Sequence, residues 1–298
     1  MNVADAIARL RKPSKDLIPK IARKIAQLPR RMAIAAGMNG ERRVTLADGS
    51  TFVADPRRGW IDWNLAVRGT YEPGTLTLIR KFLGSGDTFV DVGANIGLMS
   101  VTAARCVGPS GQVLAFEPDS RNFPRLASAR QANSVPQLLP IPLALGSHTG
   151  HITINRAPGG DGGLSSIKEI PGFIGGEQIR LTTLDAMVDA LCIDQINLIK
   201  IDVEGAEEDV VMGGLKSIMR FRPVLIIEMI NQSAVAAGKM LSDMGYKAFV
   251  TDGKDSFECR RLRPIEPRLL DHDNMIFVDA DKCGQLADMG LQVVEWQD

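Results

Sequence analysis

The 298-residue chain has only four cysteines, Cys106, Cys192, Cys259 and Cys283, and no two of them form a CxxC pair. That excludes a disulfide framework and a cysteine zinc site, and buried free thiols in a reducing compartment are expected. Long apolar runs are missing too. Nothing in the chain approaches the roughly 18 residues that read as a membrane span. The first residues lack the apolar core of a secretory signal, so a cytoplasmic location is expected. Net charge is also lacking, with 35 basic residues against 35 acidic ones. Overall charge therefore gives no reason to expect a nucleic-acid partner. Interior repeats and low-complexity tracts are absent.

What is present is ordinary for a globular protein, at 45% apolar and 23% charged residues. The length suits one large α/β domain with extensions, or two small domains. The charge is unevenly placed. Residues 1–43 hold eleven Lys or Arg against Asp5, Asp16 and Glu41, a local charge of +8. Between Ser14 and Leu28, residues Leu17, Ile18, Ile21, Ile25 and Leu28 share one helical face, with Lys20, Arg23 and Lys24 off it. Such a basic amphipathic helix can lie on an anionic membrane, or dock on the main domain or a second subunit. The expected organisation is a basic helical extension over 1–43, a main domain over 44–280 and a C-terminal tail over 281–298.

Residues 43–55 alternate around Asp48-Gly49, which is a hairpin signal. Residues 73–83 read as a helix. After Gly86 the pattern becomes strand-helix alternation. Strands are expected at 88–92, 112–117, 138–145, 196–202, 223–229, 246–252 and 274–280. This order argues for a mostly parallel sheet covered on both faces. Ligands bind such sheets beyond the carboxyl ends of the strands, at the crossover switch point.

Two features sit at such ends. "FVDVGANIG" places Asp91, Gly93, Asn95 and Gly97 between a strand and a helix. Glycines let a ligand approach the backbone, and the helix start offers free N–H groups. The spacing is G-x-x-x-G, whereas a dinucleotide fingerprint wants G-x-G-x-x-G. A pyrophosphate therefore fits poorly, and Asp91 suits a cationic ligand. Glu117 ends the second strand, where an acid can accept both ribose hydroxyls. Together they point to an adenosyl ligand with a positive charge.

"INLIKIDVEGAE" places Leu198, Lys200 and Asp202 on one strand face. A central-strand lysine is costly to bury unless paired, and Asp202 is two residues away on the same face. Asp202 has two readings, a group in the ligand cleft or a helix N-cap. Glu204, Glu207 and Glu208 suit the first turn of the next helix. Glu228 ends the fifth strand, so neighbouring strands would bring it near Asp202. Two close acids can supply a base, or hold Lys200 in an ion pair.

The segments "FVDVGANIG", "FEPD", "TTLDAMV", "INLIKIDVEGAE" and "PVLIIEM" together resemble FkbM-type methyltransferases. The resemblance runs from about residue 69 to 279 and implies a seven-stranded Rossmann-like core, S-adenosylmethionine as cofactor, and O-methylation of a sugar, polyketide or other small molecule. It implies that Asp91, Gly93, Asn95 and Gly97 border the methionine part, that Glu117 binds the ribose, and that Ala144 and Leu145 lie near the adenine. Tyr71 and Glu72 match another feature near the cofactor entrance. An alcohol acceptor must lose a proton, and Asp202 is the first candidate base, then Glu228, then His151. The glycine-rich segment 157–176 is expected to be a lid. No metal is demanded, because Asp202 and Glu228 lack a clear third ligand. The competing readings are an NAD-dependent oxidoreductase and an inactive binding module on the same fold.

Overall fold

The computed structural model describes residues 28–156, 165–166, 174–251, 261–269 and 274–293. The basic helix expected over 14–28 (except Leu28), most of the glycine-rich segment 157–176, Cys259 and His272 lie outside these residues.

Among the described residues, helix α1 (Leu28–Ala35) is followed by an antiparallel hairpin of β1 (Arg42–Thr45) and β2 (Thr51–Ala54). Its turn holds Gly49 at φ 80°, while Ser50 N–H donates to Asp48 Oδ1 at 2.9 Å. Helices α2 (Trp60–Arg68) and α3 (Pro73–Phe82) lead to the alternating core. Pro73 opens α3, where its missing N–H has no partner to lose.

The core runs β3 (Thr88–Val92), α4 (Leu98–Val107), β4 (Gln112–Phe116), α5 (Phe123–Ala132) and β5 (Leu138–Ile141). After a second sheet come α6 (Leu184–Ala190), β10 (Leu198–Ile201), α7 (Glu207–Gly213), α8 (Leu215–Phe221), β11 (Val224–Glu228), α9 (Gln232–Asp243), β12 (Tyr246–Thr251), β13 (Arg261–Pro264), β14 (Asn274–Asp279) and β15 (Gln292–Val293). The main sheet has the order β15-β13-β12-β14-β11-β10-β3-β4-β5. Its centre, from β11 through β5, is parallel. Strand β14 is antiparallel to both β11 and β12. The seven strands expected from the sequence are all here, and β13 and β15 extend one edge.

Alternation divides the core between two faces. Phe89 and Leu198 join a cluster with Leu78, Leu98 and Val101, under α3 and α4. Val90, Val92, Ile199 and Ile201 face the opposite way, against Val210 of α7 and Ala237 of α9. Because both faces are covered, β3 and β10 are buried at every position. Residues past 280, expected as a tail, add Leu286 and Leu291 to the first cluster.

One expected strand is divided. The run 138–145 becomes β5 on the edge of the main sheet and β6 (Ala144–Leu145) in a second sheet of order β6-β9-β7-β8. That sheet also contains β7 (Gly150–Arg156), β8 (Ser165–Ser166) and β9 (Ile174–Thr182). Pro140 and Pro142 cannot donate to a ladder, which confines β5 to an edge and ends it. Ala144 pairs with Leu181 of β9, so Ala144 and Leu145 do not end the third core strand as the sequence suggested.

Candidate active site

The chain passes from β3 outward through β4 to β5, then returns to β10 on the other side of β3. The switch point therefore lies between β3 and β10, where Gly93 and Asp202 leave the sheet side by side. Gly93 has φ 85°, and a Cβ there would sit 1.9 Å from the Asp202 carbonyl oxygen. Only glycine allows that approach. Asn95 at φ 52° and Gly97 at φ 87° complete a left-handed turn into α4. At Gly97 a Cβ would meet Leu126 Cδ1 at 2.6 Å, so this residue lets α5 pack closely.

A pocket opens above this turn. Tyr71, Glu72, Asp91, Asn95, Lys200 and Asp202 supply its polar lining, with Gly93 beside them and Ile61, Ile96 and Met99 among the apolar residues. Asp91 is 1% exposed. One of its oxygens accepts from Ser100 Oγ at 2.5 Å, and Oδ1 has no hydrogen-bond partner among the described residues. Burial raises the Asp91 pKa, partly offset by Lys200 and Ser100.

Lys200 stands beside Asp91 in register on the neighbouring strand. It is 3% exposed and donates to Asp202 Oδ2 at 2.7 Å, as the alternation implied. Burial alone would weaken the ammonium. The carboxylates of Asp202, Asp91 and Glu72 outweigh it, and Lys200 is held above its ordinary pKa. Asp202 is not a helix cap. Helix α7 starts at Glu207, beyond Asp202 and behind the N-cap residue Ala206, with no side-chain cap. Glu207 itself accepts from Gly205 N–H and Asn231 Nδ2.

Strands β10 and β11 are neighbours, and Glu228 does lie close to Asp202. In the sequence, Asp202 and Glu228 lack a clear third ligand. The structure places one: Glu204, at φ 51°, turns back instead of opening the helix. One oxygen each from Asp202, Glu204 and Glu228 lies within 4.8 Å of the others. Such a set could hold a hard divalent cation or share protons. Burial, then the charges of Asp202, Glu204 and Glu72, push the Glu228 pKa well above the carboxylate range. A raised pKa lets Glu228 hold a proton more readily than an exposed carboxylate does. Tyr71 is likewise pushed up, by burial and then by Glu72, Asp202 and Glu228.

Glu117 follows β4, 5% exposed and outside the pocket's lining. Its two oxygens accept from the N–H groups of Asn95 at 2.7 Å and Asp119 at 2.8 Å. It thus fastens the glycine turn from below, and each oxygen keeps a second lone pair. Burial pushes its pKa up to about 7 against those two hydrogen bonds. Ala144 and Leu145 are buried on the second sheet and do not line the pocket. His151 is exposed on β7.

Two further residues support the site, Thr75 from the first turn of α3 and Asn274 from far away in sequence. Thr75 Oγ donates to Glu72 Oε2 at 3.0 Å, and Asn274 Nδ2 reaches the same oxygen at 3.1 Å. The one signal for Asn274 was a polar residue opening the apolar strand "NMIFV".

Comparison with known proteins gives a family match. The family model described as methyltransferase FkbM domain matches residues 91–248. Hexuronic acid methyltransferase AglP of Haloferax volcanii is 27% identical over 157 residues, covering 52% of this chain. The chain spans 61% of that relative's length, less than two thirds. The solved structure of methyltransferase FkbM from Methylobacillus flagellatus KT is 16% identical, at a TM-score of 0.44, covering 67% of this chain and 47% of that one. Aeropyrum pernix fibrillarin is 15% identical, at a TM-score of 0.39, over 80% of this chain and 94% of its own. Because the family model spans more than half of the 298 residues, the chain belongs to the methyltransferase FkbM domain family.

Proposed function

We propose that the protein is an S-adenosylmethionine-dependent methyltransferase acting on a hydroxyl of a sugar, polyketide or other small molecule. The observation that carries this reading is the unpartnered Asp91 oxygen, buried beside a glycine turn at the switch point of the sheet. An unsatisfied buried carboxylate oxygen wants a donor, and a cationic one best. The cofactor's ammonium fits it. The Gly93 backbone fits a close approach, and the remaining lone pairs of Glu117 fit a ribose diol. Glu72, Asp91 and Asp202 together disfavour the pyrophosphate of a dinucleotide. AglP, named for a hexuronic acid, supports a sugar as acceptor.

When bound, the cofactor supplies an electrophilic methyl group on a sulfonium. The residues of the chain do the rest. Orientation of the acceptor oxygen can be worth about 7–11 kcal/mol. Lys200 pairs with Asp202 and fixes one of its oxygens. The Asp202 side chain is 29% exposed and accepts the hydroxyl proton. Glu228, close to Asp202, is the second carboxyl at this end of the site.

Two measurements test this. Thermal unfolding should shift upward with S-adenosylmethionine and not with NAD, by about 2.7 kcal/mol at a hundredfold excess over Kd. No shift with S-adenosylmethionine sinks the reading. Asp202→Asn should lower kcat about 10²–10⁴-fold, beyond any change in cofactor Kd. Turnover at the wild-type rate would make Asp202 structural.

A further inference from the structure

Glu72 has a backbone that its side chain does not explain locally. It sits at φ 46° and ψ 60°, just before α3, in a left-handed region that non-glycine residues rarely occupy. A glutamate beside a helix start ordinarily accepts from the first N–H groups. Glu72 makes no side-chain cap. Glu72 is 5% exposed and lines the pocket that contains Asp91, Lys200 and Asp202. Strained positions that persist are held by their surroundings and cluster at ligand sites.

The holding groups are identifiable. Thr75, 1% exposed, donates to Glu72 Oε2 at 3.0 Å. Asn274, 7% exposed, places Nδ2 3.1 Å from the same oxygen and 2.8 Å from Thr75 Oγ. Asn274 opens β14, in register with Glu228 of β11. Neither Glu72 nor Asn274 falls in the family-matched span of 91–248, so the flanks of the chain complete the pocket.

We propose that Asn274, with Thr75, is a positioning residue that holds Glu72 against the positive end of the methyl donor, and that Glu72 serves donor binding, not the transfer step. This rests on the cofactor reading above. The chemistry separates the two roles. A carboxylate beside the donor's ammonium favours ground state and transition state alike. Beside the sulfonium it favours the ground state more, because that charge disappears as the methyl leaves. In both cases its loss appears in affinity, with no fall in kcat.

The test is calorimetric titration of the full chain with S-adenosylmethionine and S-adenosylhomocysteine, beside steady-state kinetics. Asn274→Ala, the isosteric Thr75→Val and Glu72→Gln should each raise Kd and KM for S-adenosylmethionine about tenfold, with kcat within about twofold. Thr75→Ser keeps the hydroxyl and should restore wild-type affinity. The double variant of Glu72→Gln with Asn274→Ala should bind no worse than Glu72→Gln alone. Equal weakening of both ligands assigns Glu72 to the ammonium, and weakening of S-adenosylmethionine alone assigns it to the sulfonium. Wild-type affinity in folded Asn274→Ala or Thr75→Val, or additive losses in the double variant, overturns the positioning role. Failure of the wild type to bind S-adenosylmethionine overturns the cofactor reading on which it rests.

Discussion

Glu117 makes the site sensitive to pH near neutrality. Its pKa is pushed up to about 7 by burial, above the ordinary value of 4.5. Between those values the folded chain binds more protons than the unfolded chain. Its contribution to folding stability is therefore present at low pH and lost as pH rises through about 7. Under the proposed ribose-binding role, ligand binding has the opposite sign, because a diol would donate to the ionised carboxylate. Affinity for S-adenosylmethionine should fall as pH drops below about 7, by up to tenfold per unit, and Glu117→Gln should flatten that slope in titrations from pH 5.5 to 8. At this scale much of the site was legible. Asp91, Lys200 and Asp202 follow from alternation and from strand ends. Glu204 was not legible, because a glutamate near a helix start has a sufficient local reason to be there. Asn274 was hidden because its partner is 202 positions away.

At the level of strands and helices, apolar runs and glycine turns marked nearly every core element. The run 138–145 failed because hydrophobicity does not say which sheet a strand joins, and its prolines were the overlooked warning. The turn after β3 carries the strictest local demand. Gly93→Ala would force a Cβ against the Asp202 carbonyl at a left-handed φ, separating β3 from β10. Strain and overpacking together should cost at least ~3 kcal/mol, read from urea unfolding followed by circular dichroism. A stability within 0.5 kcal/mol of wild type would mean the switch point is looser than described.

Across the whole molecule, the segment before the core is tied down by charge. Arg125 of α5 donates to both oxygens of Asp62 in α2 and to the carbonyl of Val53 in β2. Asp62 also accepts from Asp55 N–H at 2.8 Å. The side chain of Asp62 is 5% exposed, so removing its partner leaves a buried charge. Arg125→Met should destabilise by about 3 kcal/mol in urea titrations. An unchanged midpoint would show that apolar contacts alone hold α2 in place. The same docking carries Ile61 and Tyr71 to the pocket, so the variant should also weaken cofactor binding. Strand order was the global property least visible in the residues alone. Alternation predicts strands, but which ones are neighbours depends on contacts far apart in sequence.

The insertion of β14 between β11 and β12 has a consequence for synthesis. A ribosome delivers β11 and β12 first, yet they have no pairing with each other in the finished sheet. Until residues 274–279 emerge, β11 and β12 each present a bare edge, and Glu72 lacks its asparagine. The nascent protein therefore cannot complete the pocket around Glu72 until residues 274–279 have been made, and exposed edges of this kind are what chaperones shield.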